Sequence, residues 1–257
     1  MPDPVALVTA GSRGLGLASA HELLKRGYRV AIAARTPQGV AAAVEELRPY
    51  GTVEGFSADL ADPAALEALV SWTRDTLGPV TALVANAGGP PPGGFFDVTD
   101  ADWRAAFELT LCSVVTSVRL VVPDMRAAGG GRIVVTGSSS VRRPLDGLVL
   151  SNAFRPAVNG LVKDLAVELA PDGITVNMVS PGRIDTDRVR GLDRARAART
   201  GVPEQEVRAR SQASIPAGRY GTPAEFAAAV GFLASPEAGY VTGQSLLVDG
   251  GLVPALP

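Results

Sequence analysis

The sequence predicts a single α/β domain, in which a doubly wound parallel sheet of about seven strands carries helices on both faces. Short apolar, β-branched runs alternate along the chain with segments that place apolar residues at i, i+3 and i+4. The strand runs are continuously apolar, which is typical of strands buried on both faces of a parallel sheet. With 257 residues, 46% of them hydrophobic, the chain can bury one full core, so we expect one domain over residues 1–257.

The element boundaries follow from these patterns. Strands are expected at 5–10, 29–34, 52–58, 81–87, 132–138, 174–180 and 244–250. Helices are expected at 15–26, 37–48, 63–77, 101–128, 152–170, 186–213 and 222–235, several of them opened by Thr-Pro or Asp-Pro pairs. Pro156 removes a backbone hydrogen bond, so we expect the helix around it to bend or to restart there.

Composition limits the classes of partner. The formal net charge of −2 gives no global basic field for nucleic acid and no polybasic patch for a membrane, so a small-molecule partner is expected. No run approaches the ~18 consecutive apolar residues of a membrane-spanning helix. The single cysteine, Cys112, cannot form an internal disulfide, and the first strand begins at Val5 with no room for a signal peptide. These observations favour the cytoplasm, and no metal site is predicted.

The stretch TAGSRGLG, residues 9–16, follows the first strand and opens the first helix. Gly11, Gly14 and Gly16 allow a tight turn, close approach of the backbone to a pyrophosphate and close packing of the helix on the sheet. The N–H groups at the start of the helix are then available to phosphates. This motif predicts dinucleotide binding on a Rossmann-type sheet, and the alternative is a tight turn without a ligand.

The charges beside this turn indicate which dinucleotide binds. An acidic residue at the end of the second strand would bind a ribose 2′-hydroxyl, but Ala34 and Arg35 stand there. Arg35 and Arg13 favour a 2′-phosphate, to which guanidinium groups bind with two hydrogen bonds. We therefore expect NADP(H) in preference to NAD(H). The alternative is that both are solvated arginines, in a chain with 22 arginines and two lysines.

The three residues between the first two glycines give a spacing that resembles the short-chain dehydrogenase/reductase family. The resemblance extends from Val5 to Leu252 and includes NAG at 86–88, PGRIDT at 181–186, and Asp59 with Leu60. The segment 218–251 is similar to the family's closing helix and last strand, which implies a homo-oligomer, a dimer or a tetramer. The resemblance implies cofactor contacts by Gly11, Ser12, Arg13, Gly14, Leu15, Gly16, Arg35, Asp59, Leu60, Asn86, Ala87, Gly88, Arg155, Pro181, Gly182, Ile184 and Thr186.

The resemblance also locates the catalytic positions, where this chain differs from the family. The family uses a tyrosine as proton donor, a lysine four residues later, a serine that orients the carbonyl and an asparagine that anchors a water. Ser138 matches the serine, but Ser151 stands for tyrosine, Arg155 for lysine and Thr110 for asparagine. The register is set by residues 157–177, which align with the family without a gap.

These substitutions keep the geometry but change the chemistry. Residues four apart share one helix face, so Ser151 and Arg155 can reach the same pocket. A serine hydroxyl is a much weaker acid than a phenol, and arginine stays charged. The contribution that these residues can still make to catalysis is electrostatic. A fixed cation beside hydroxyl groups can stabilise an alkoxide-like oxygen while water supplies the proton. Asp146 is a candidate acceptor for Arg155, and the alternative is a turn aspartate in Asp146-Gly147.

Three functions remain open. The first is NADPH-dependent reduction of a carbonyl, similar to that of 3-oxoacyl-carrier-protein reductases, by an atypical site. The second is a non-redox reaction at a carbonyl on the same fold, and the third is cofactor binding without turnover. The substrate loops 88–97, 141–150 and 187–214 carry no recognisable motif. Eight arginines between Arg183 and Arg210 indicate either a cationic lid for an acidic or acyl-carrier substrate or a solvated face of mixed charge.

Overall fold

Seven strands form one parallel sheet at the centre of the computed structural model, which describes residues 3–255. The strand order is β3-β2-β1-β4-β5-β6-β7, so the order reverses between β1 and β4 and creates a crevice at their carboxyl ends. The expected fold class is confirmed. The strands are β1 Val5–Val8, β2 Arg29–Ala34, β3 Val53–Ser57, β4 Val80–Ala85, β5 Gly131–Thr136, β6 Ile174–Pro181 and β7 Ser245–Val248.

Nine α-helices lie within residues 3–255, and six of them cover the two faces of the sheet. One hydrophobic cluster joins the sheet to α3, α5 and α6, and a second joins it to α1, α2 and α9. The inner strands β2, β1, β4, β5 and β6 are therefore buried on both faces, whereas the edge strands β3 and β7 are partly exposed. The helices are α1 Gly14–Lys25, α2 Pro37–Leu47, α3 Pro63–Thr76, α4 Asp100–Phe107, α5 Ser113–Ala127, α6 Val149–Leu169, α7 Asp187–Thr200, α8 Glu204–Ala213 and α9 Pro223–Ala234.

The lid segment, residues 187–214, differs from its expectation. A single helix over 186–213 was predicted, and this was wrong, because α7 ends at Thr200 and α8 begins at Glu204. Gly201 adopts a left-handed φ of 69°, which a glycine tolerates well, and Pro203 precedes the second helix. The lid is therefore two short helices that pack on each other.

Pro156 lies inside a continuous helix. Helix α6 begins at Val149, before Ser151, and continues through Pro156 to Leu169, so the helix does not restart at Pro156, and the bend expected as the alternative stays a prediction. The proline withdraws one hydrogen bond from the carbonyl of Asn152. The packing of the buried side of α6 on the sheet outweighs that loss, since tertiary packing supplies most of the stability of a helix in a protein.

Helices α4 and α5 form one continuous rod, joined by a π-helical turn over Glu108–Cys112. Within residues 3–255, this rod is the one helix long and apolar enough to cross a membrane, judged by length and composition alone. Its Val114, Val118 and Val121 side chains are buried in the core beside β4. Core packing therefore accounts for its apolar character.

Candidate active site

The turn between β1 and α1 is shaped by close backbone packing. A Cβ atom on Gly16 would lie 2.2 Å from the Ala10 carbonyl oxygen, and one on Gly11 would lie 2.9 Å from Cβ of Ile32. Ala10 has a φ of 46°, in the left-handed region that non-glycine residues rarely adopt. Backbone strain of this kind persists where the surroundings impose it and is concentrated at ligand sites.

Asn86, at the end of β4, imposes that conformation. Its side-chain amide donates to the Ala10 carbonyl at 3.2 Å, and its backbone N–H donates to the Thr9 hydroxyl at 2.9 Å. The Thr9 hydroxyl in turn donates to the Asn86 carbonyl at 2.6 Å. These bonds tie the β1 turn to the end of β4 across the crevice, as expected for the Asn-Ala-Gly motif.

Helix α1 begins at Gly14 without a side-chain cap, so its first N–H groups have no protein partner within residues 3–255. Such groups bind anions well, because they add hydrogen bonds to the positive end of the helix. Thr186, at the start of the lid, lies opposite this end, with its methyl carbon 3.7 Å from the position of a Cβ on Gly14. A Cβ on Gly88 would meet nothing within 4 Å, so that loop borders open space.

The other predicted cofactor-binding residues lie in the same loops at the carboxyl edge of the sheet. Asp59 is exposed and accepts from the N–H of Ala61, whereas Leu60 is buried in the core. Ile184 is also buried, and the Thr186 hydroxyl accepts from the N–H of Val189 as the N-cap of α7. The remaining members of this group are Ser12, Leu15, Ala87, Pro181 and Gly182.

Arg13 and Arg35 are exposed beside the turn. Neither side chain forms a hydrogen bond or an ion pair with any residue in the range 3–255. Two cations without carboxylate partners, next to the free end of α1, fit a phosphate-bearing dinucleotide.

Three serines stand together at the end of β5 and the start of α6. The backbone N–H of Ser140 donates to the Ser138 hydroxyl oxygen at 3.1 Å. The Ser140 hydroxyl lies 3.4 Å from the Ser151 hydroxyl and donates to the Ser151 carbonyl at 3.3 Å. Ser138 accepts in this arrangement, so its own hydroxyl proton is free to donate to a ligand.

Arg155 lies one turn after Ser151 on α6 and is only 5% exposed. Its guanidinium Nη1 donates to the Thr136 carbonyl, the last of β5, at 2.6 Å. Burial lowers the pKa of Arg155 from its ordinary value to about 10, and the charge of Arg188 contributes to that lowering. Arg155 therefore stays cationic at neutral pH.

Arg188, on the first turn of α7, brings a second cation to this site. Its Nη2 donates to the Pro90 carbonyl at 2.6 Å, although the residue is exposed. A Cβ on Gly89 would lie 2.8 Å from the same nitrogen, so the glycine leaves the space that Arg188 fills. Burial lowers the pKa of Arg188 as well.

Thr110 lies in the π-helical turn, which packs against α6. Turns of this kind are frequent at functional sites. The Thr110 side chain is fully buried, and its hydroxyl has no hydrogen-bond partner among the described residues. A buried hydroxyl of this kind requires a partner, and a water is the usual one.

The substrate loops are held to one another. The N–H of Gly93 donates to the Gly147 carbonyl at 2.7 Å, and the Asn152 side chain binds both the N–H and the carbonyl of Leu145.

Asp146 does not accept from Arg155, contrary to one expectation. Its carboxylate lies 3.0 Å from Arg199 on the lid, because the turn projects it outward, with 85% of its side chain exposed.

Most of the lid arginines are in carboxylate pairs, which favours the expected solvated face of mixed charge over a cationic lid. The acceptors are exposed or half-exposed, apart from Asp193, which is buried. Surface pairs of this kind contribute little to stability. The paired arginines are Arg183, Arg190, Arg199, Arg208 and Arg210.

Sequence reasoning missed three residues of this site. Ser140 links the two expected serines, the charge of Arg188 contributes to the lowered pKa of Arg155, and Asn152 fixes the loop before α6. The run of three serines after β5 was a usable signal for Ser140. No local pattern distinguishes Arg188 from the other seven arginines of its segment, because its role depends on the path of the 88–97 loop.

Comparison with known proteins agrees with this geometry. The model of the family described as enoyl-(acyl carrier protein) reductase matches residues 9–253. The 3-oxoacyl-[acyl-carrier-protein] reductase FabG of Escherichia coli is 37% identical over 248 residues, 96% of each chain.

Solved structures give the same result. An actinorhodin polyketide ketoreductase, solved as a variant with NADPH, superposes with a TM-score of 0.95 at 35% identity, over 99% of this chain and 100% of that one. An NADPH-bound short-chain oxidoreductase of Pseudomonas aeruginosa, described as containing an atypical catalytic centre, has a TM-score of 0.89 at 34% identity, over 100% of both chains. This chain therefore belongs to the short-chain dehydrogenase/reductase family.

Proposed function

We propose that the protein reduces a carbonyl with NADPH, using Ser138, Ser151 and Arg155 in place of the family's tyrosine and lysine. The observation that carries this proposal is the cluster itself, in which Ser151 and the buried Arg155 lie one turn apart on α6 and Ser140 links Ser151 to Ser138 after β5. The relatives named as ketoacyl and polyketide reductases support the reaction class. The NADPH-bound P. aeruginosa oxidoreductase, described as containing an atypical catalytic centre, supports cofactor binding beside a changed catalytic centre on this fold.

The residues at the crevice fit NADP(H). The uncapped start of α1 and the close-packed glycine turn suit the pyrophosphate, and Arg13 with Arg35 suits the 2′-phosphate. NADPH, when bound, supplies the hydride. Thr186 and the loop at 181–186 lie opposite the turn, where they would contact the nicotinamide end.

The protein's part in the reaction is to position and polarise the carbonyl. Ser138 and Ser151 donate hydrogen bonds to the carbonyl oxygen, and Arg155 places a fixed positive charge one helical turn away. Preorganised donors and charges of this kind stabilise the oxygen as it becomes negative. Because no group in the cluster is an acid near neutral pH, the product's proton comes from water. We propose that Thr110 holds such a water beside α6.

Stereospecific transfer of label tests this function. We expect protein incubated with NADPH deuterated on one face of C4 and a panel of ketones to place deuterium on the carbinol carbon of the product. One face of the cofactor should donate and the other should not, because the bound nicotinamide presents one side to the substrate.

The matched controls are NADPH deuterated on the opposite face and protein in which Ser138 and Ser151 are both alanine. Conversion of a substrate without consumption of NADPH would instead establish a non-redox reaction at the carbonyl. NADPH binding without any turnover would leave the protein as a cofactor binder, and either result would refute the proposal.

The homo-oligomer expected from the closing segment stays a prediction, which sedimentation equilibrium tests. Phe232 on α9 and Leu246 on β7 are 43% and 41% exposed in the single chain, which fits burial by a second copy. The cytoplasmic location expected from the single Cys112 also stays a prediction, and cell fractionation tests it.

A further inference from the structure

Asp193 is a buried carboxylate on the lid helix α7. It is 2% exposed, on a helix most of whose residues are exposed. Its Oδ2 accepts a hydrogen bond from the Tyr220 hydroxyl at 2.9 Å, and its Oδ1 accepts one from the Arg183 guanidinium at 3.3 Å. A carboxylate out of water needs such partners, because its burial is otherwise costly. Asp193 therefore joins three segments, which are the lid, the loop at 181–186 and the segment at 218–221.

A second carboxylate ties the same loop to the lid in the opposite direction. The loop at 181–186, which we call the cofactor loop, carries Asp185, whose carboxylate accepts from Arg190 on α7 at 2.7 Å and from Arg208 on α8 at 2.8 Å. These pairs are partly exposed, so water and salt screen them. Asp193 is buried, so its interactions with the loop are screened less.

Polar contacts, and not a large core, hold the lid on the cofactor loop. The apolar cluster of the lid has three buried members, Val189, Ile215 and Tyr220, and is separate from the two clusters on the sheet. A cleft of about 130 Å³ borders Arg183 and Ile184, so the cofactor loop is not tightly packed on that side. A segment with few buried apolar contacts moves easily once its polar contacts are lost.

The cofactor loop forms one wall of the crevice, at the end of β6. Thr186 lies opposite the start of α1, with its methyl carbon 3.7 Å from the position of a Cβ on Gly14. Only two residues separate Arg183 from Thr186, so a displacement of Arg183 would carry Thr186 with it. Arg35 follows β2, and the strand order places β2 and β6 on opposite sides of β1 and β4. A change at Arg183 should therefore affect one end of the dinucleotide and spare the 2′-phosphate end.

We propose that Asp193 is a positioning residue for the nicotinamide end of NADP(H), acting on the cofactor loop through Arg183 and Tyr220. This inference rests on the proposed function, in which that loop contacts the nicotinamide. Without the Asp193 carboxylate, Arg183 would turn to water, since its side chain is already 27% exposed. The cofactor loop would then lose its buried tie to the lid.

Binding of the whole cofactor and of a fragment tests this role without relying on turnover. The probes are NADPH and adenosine 2′,5′-bisphosphate, which keeps the 2′-phosphate end and lacks the nicotinamide. Calorimetric titration measures both affinities. We expect Asp193→Asn, which removes the charge and keeps the shape, to weaken NADPH binding by about tenfold. The same variant should bind the fragment within about twofold of the wild type.

Tyr220→Phe is the second variant, and it removes one hydroxyl from a buried ring. It should weaken NADPH binding by about threefold and leave fragment binding unchanged, because Asp193 keeps Arg183 as a partner. The matched controls are Tyr240→Phe, at a fully exposed tyrosine, and Asp146→Asn, which removes a carboxylate that pairs with the lid away from the cofactor loop. Both controls should bind NADPH and the fragment as the wild type does.

The outcomes separate this inference from the proposed function. Equal weakening of NADPH and of the fragment would mean that Asp193 and Tyr220 only stabilise the fold, and would overturn the positioning role. An unchanged NADPH affinity in every variant that folds would overturn it as well. A selective loss of NADPH binding, in a protein whose wild type transfers no hydride, would support the positioning role and refute the reductase function.

Discussion

Replacement of Arg155 by methionine should lower kcat for carbonyl reduction by about 10²–10³-fold, the usual cost of removing one preorganised stabiliser of a developing oxyanion. Methionine has a long apolar side chain, so it fills the space and removes only the charge and the hydrogen bond to Thr136. Steady-state kinetics at saturating NADPH measure the change. A variant that retains more than about a third of the wild-type kcat would contradict the role of the guanidinium.

The same variant should be at least as stable as the wild type. Burial lowers the pKa of Arg155 from its ordinary value to about 10, so the native state disfavours the charged form by about 3 kcal/mol, at 1.36 kcal/mol for each pKa unit. This destabilisation is fully present below pH 10 and is relieved as the pH rises from about 10 towards the ordinary pKa of arginine. Loss of the hydrogen bond from the charged guanidinium to Thr136 costs about 1.5–3 kcal/mol. We expect a net gain of about 0–1.5 kcal/mol in the free energy of unfolding by urea.

A fall in that free energy, with activity also lost, would show that Arg155 stabilises the fold and is not an unpaired charge kept for function.

Arg155→Lys is the second variant. It restores the residue found in the family at this position, and it keeps a cation while removing the planar fork. We expect it to recover part of the kcat that methionine loses.

Gly16→Ala should weaken NADP⁺ binding by about 100-fold, or about 2.7 kcal/mol. The added Cβ would lie 2.2 Å from the Ala10 carbonyl oxygen and 2.8 Å from the Asn86 amide nitrogen, so the turn must move. That movement breaks the Asn86 bond that holds the strained Ala10 backbone. Fluorescence titration measures the affinity, and we expect the free energy of unfolding to fall by about 1–3 kcal/mol.

Gly160→Ala is the matched control. Gly160 lies within α6, where a Cβ would meet nothing within 4 Å. The substitution should stabilise the protein by about 0.5–1 kcal/mol and leave NADP⁺ binding unchanged. Equal NADP⁺ affinity in Gly16→Ala and wild type would mean that the β1 turn does not contact the cofactor.

The fold was predictable because its elements are set by local patterns. Continuous apolar runs placed all seven strands, and Pro at the first helical position correctly marked the starts of α2, α3 and α9. The helix does not restart at Pro156, one of the two expected outcomes, because the tertiary packing of α6 outweighs the proline's local cost. The break at Gly201 was missed because mixed charges at helical spacing continue across it.

The site was predictable only where the motif spacing carries information. The spacing placed Ser151 and Arg155 on one helix face, and the structure confirms that they lie on one helix. The surroundings of Arg155 were not predictable, because they depend on the paths of separate segments. Arg188 stands on the first turn of α7, and Asp146 stands on a turn that directs it to Arg199. The pairing of Asp146 with Arg199 in place of Arg155 depends on how the loop at 141–148 is anchored, which no local pattern states.

The pH dependence of kcat tests the central claim most directly, because it reports whether a titrating acid takes part in the reaction. Serine and threonine hydroxyls do not titrate in the accessible range, and the pKa of Arg155 is about 10. At saturating NADPH and substrate, we predict a kcat that is constant from about pH 6 to pH 9 and falls towards pH 10 as Arg155 loses its proton. A kcat that changes tenfold per pH unit within that range would contradict the account, because it would reveal a proton donor that the cluster of Ser138, Ser151 and Arg155 does not contain.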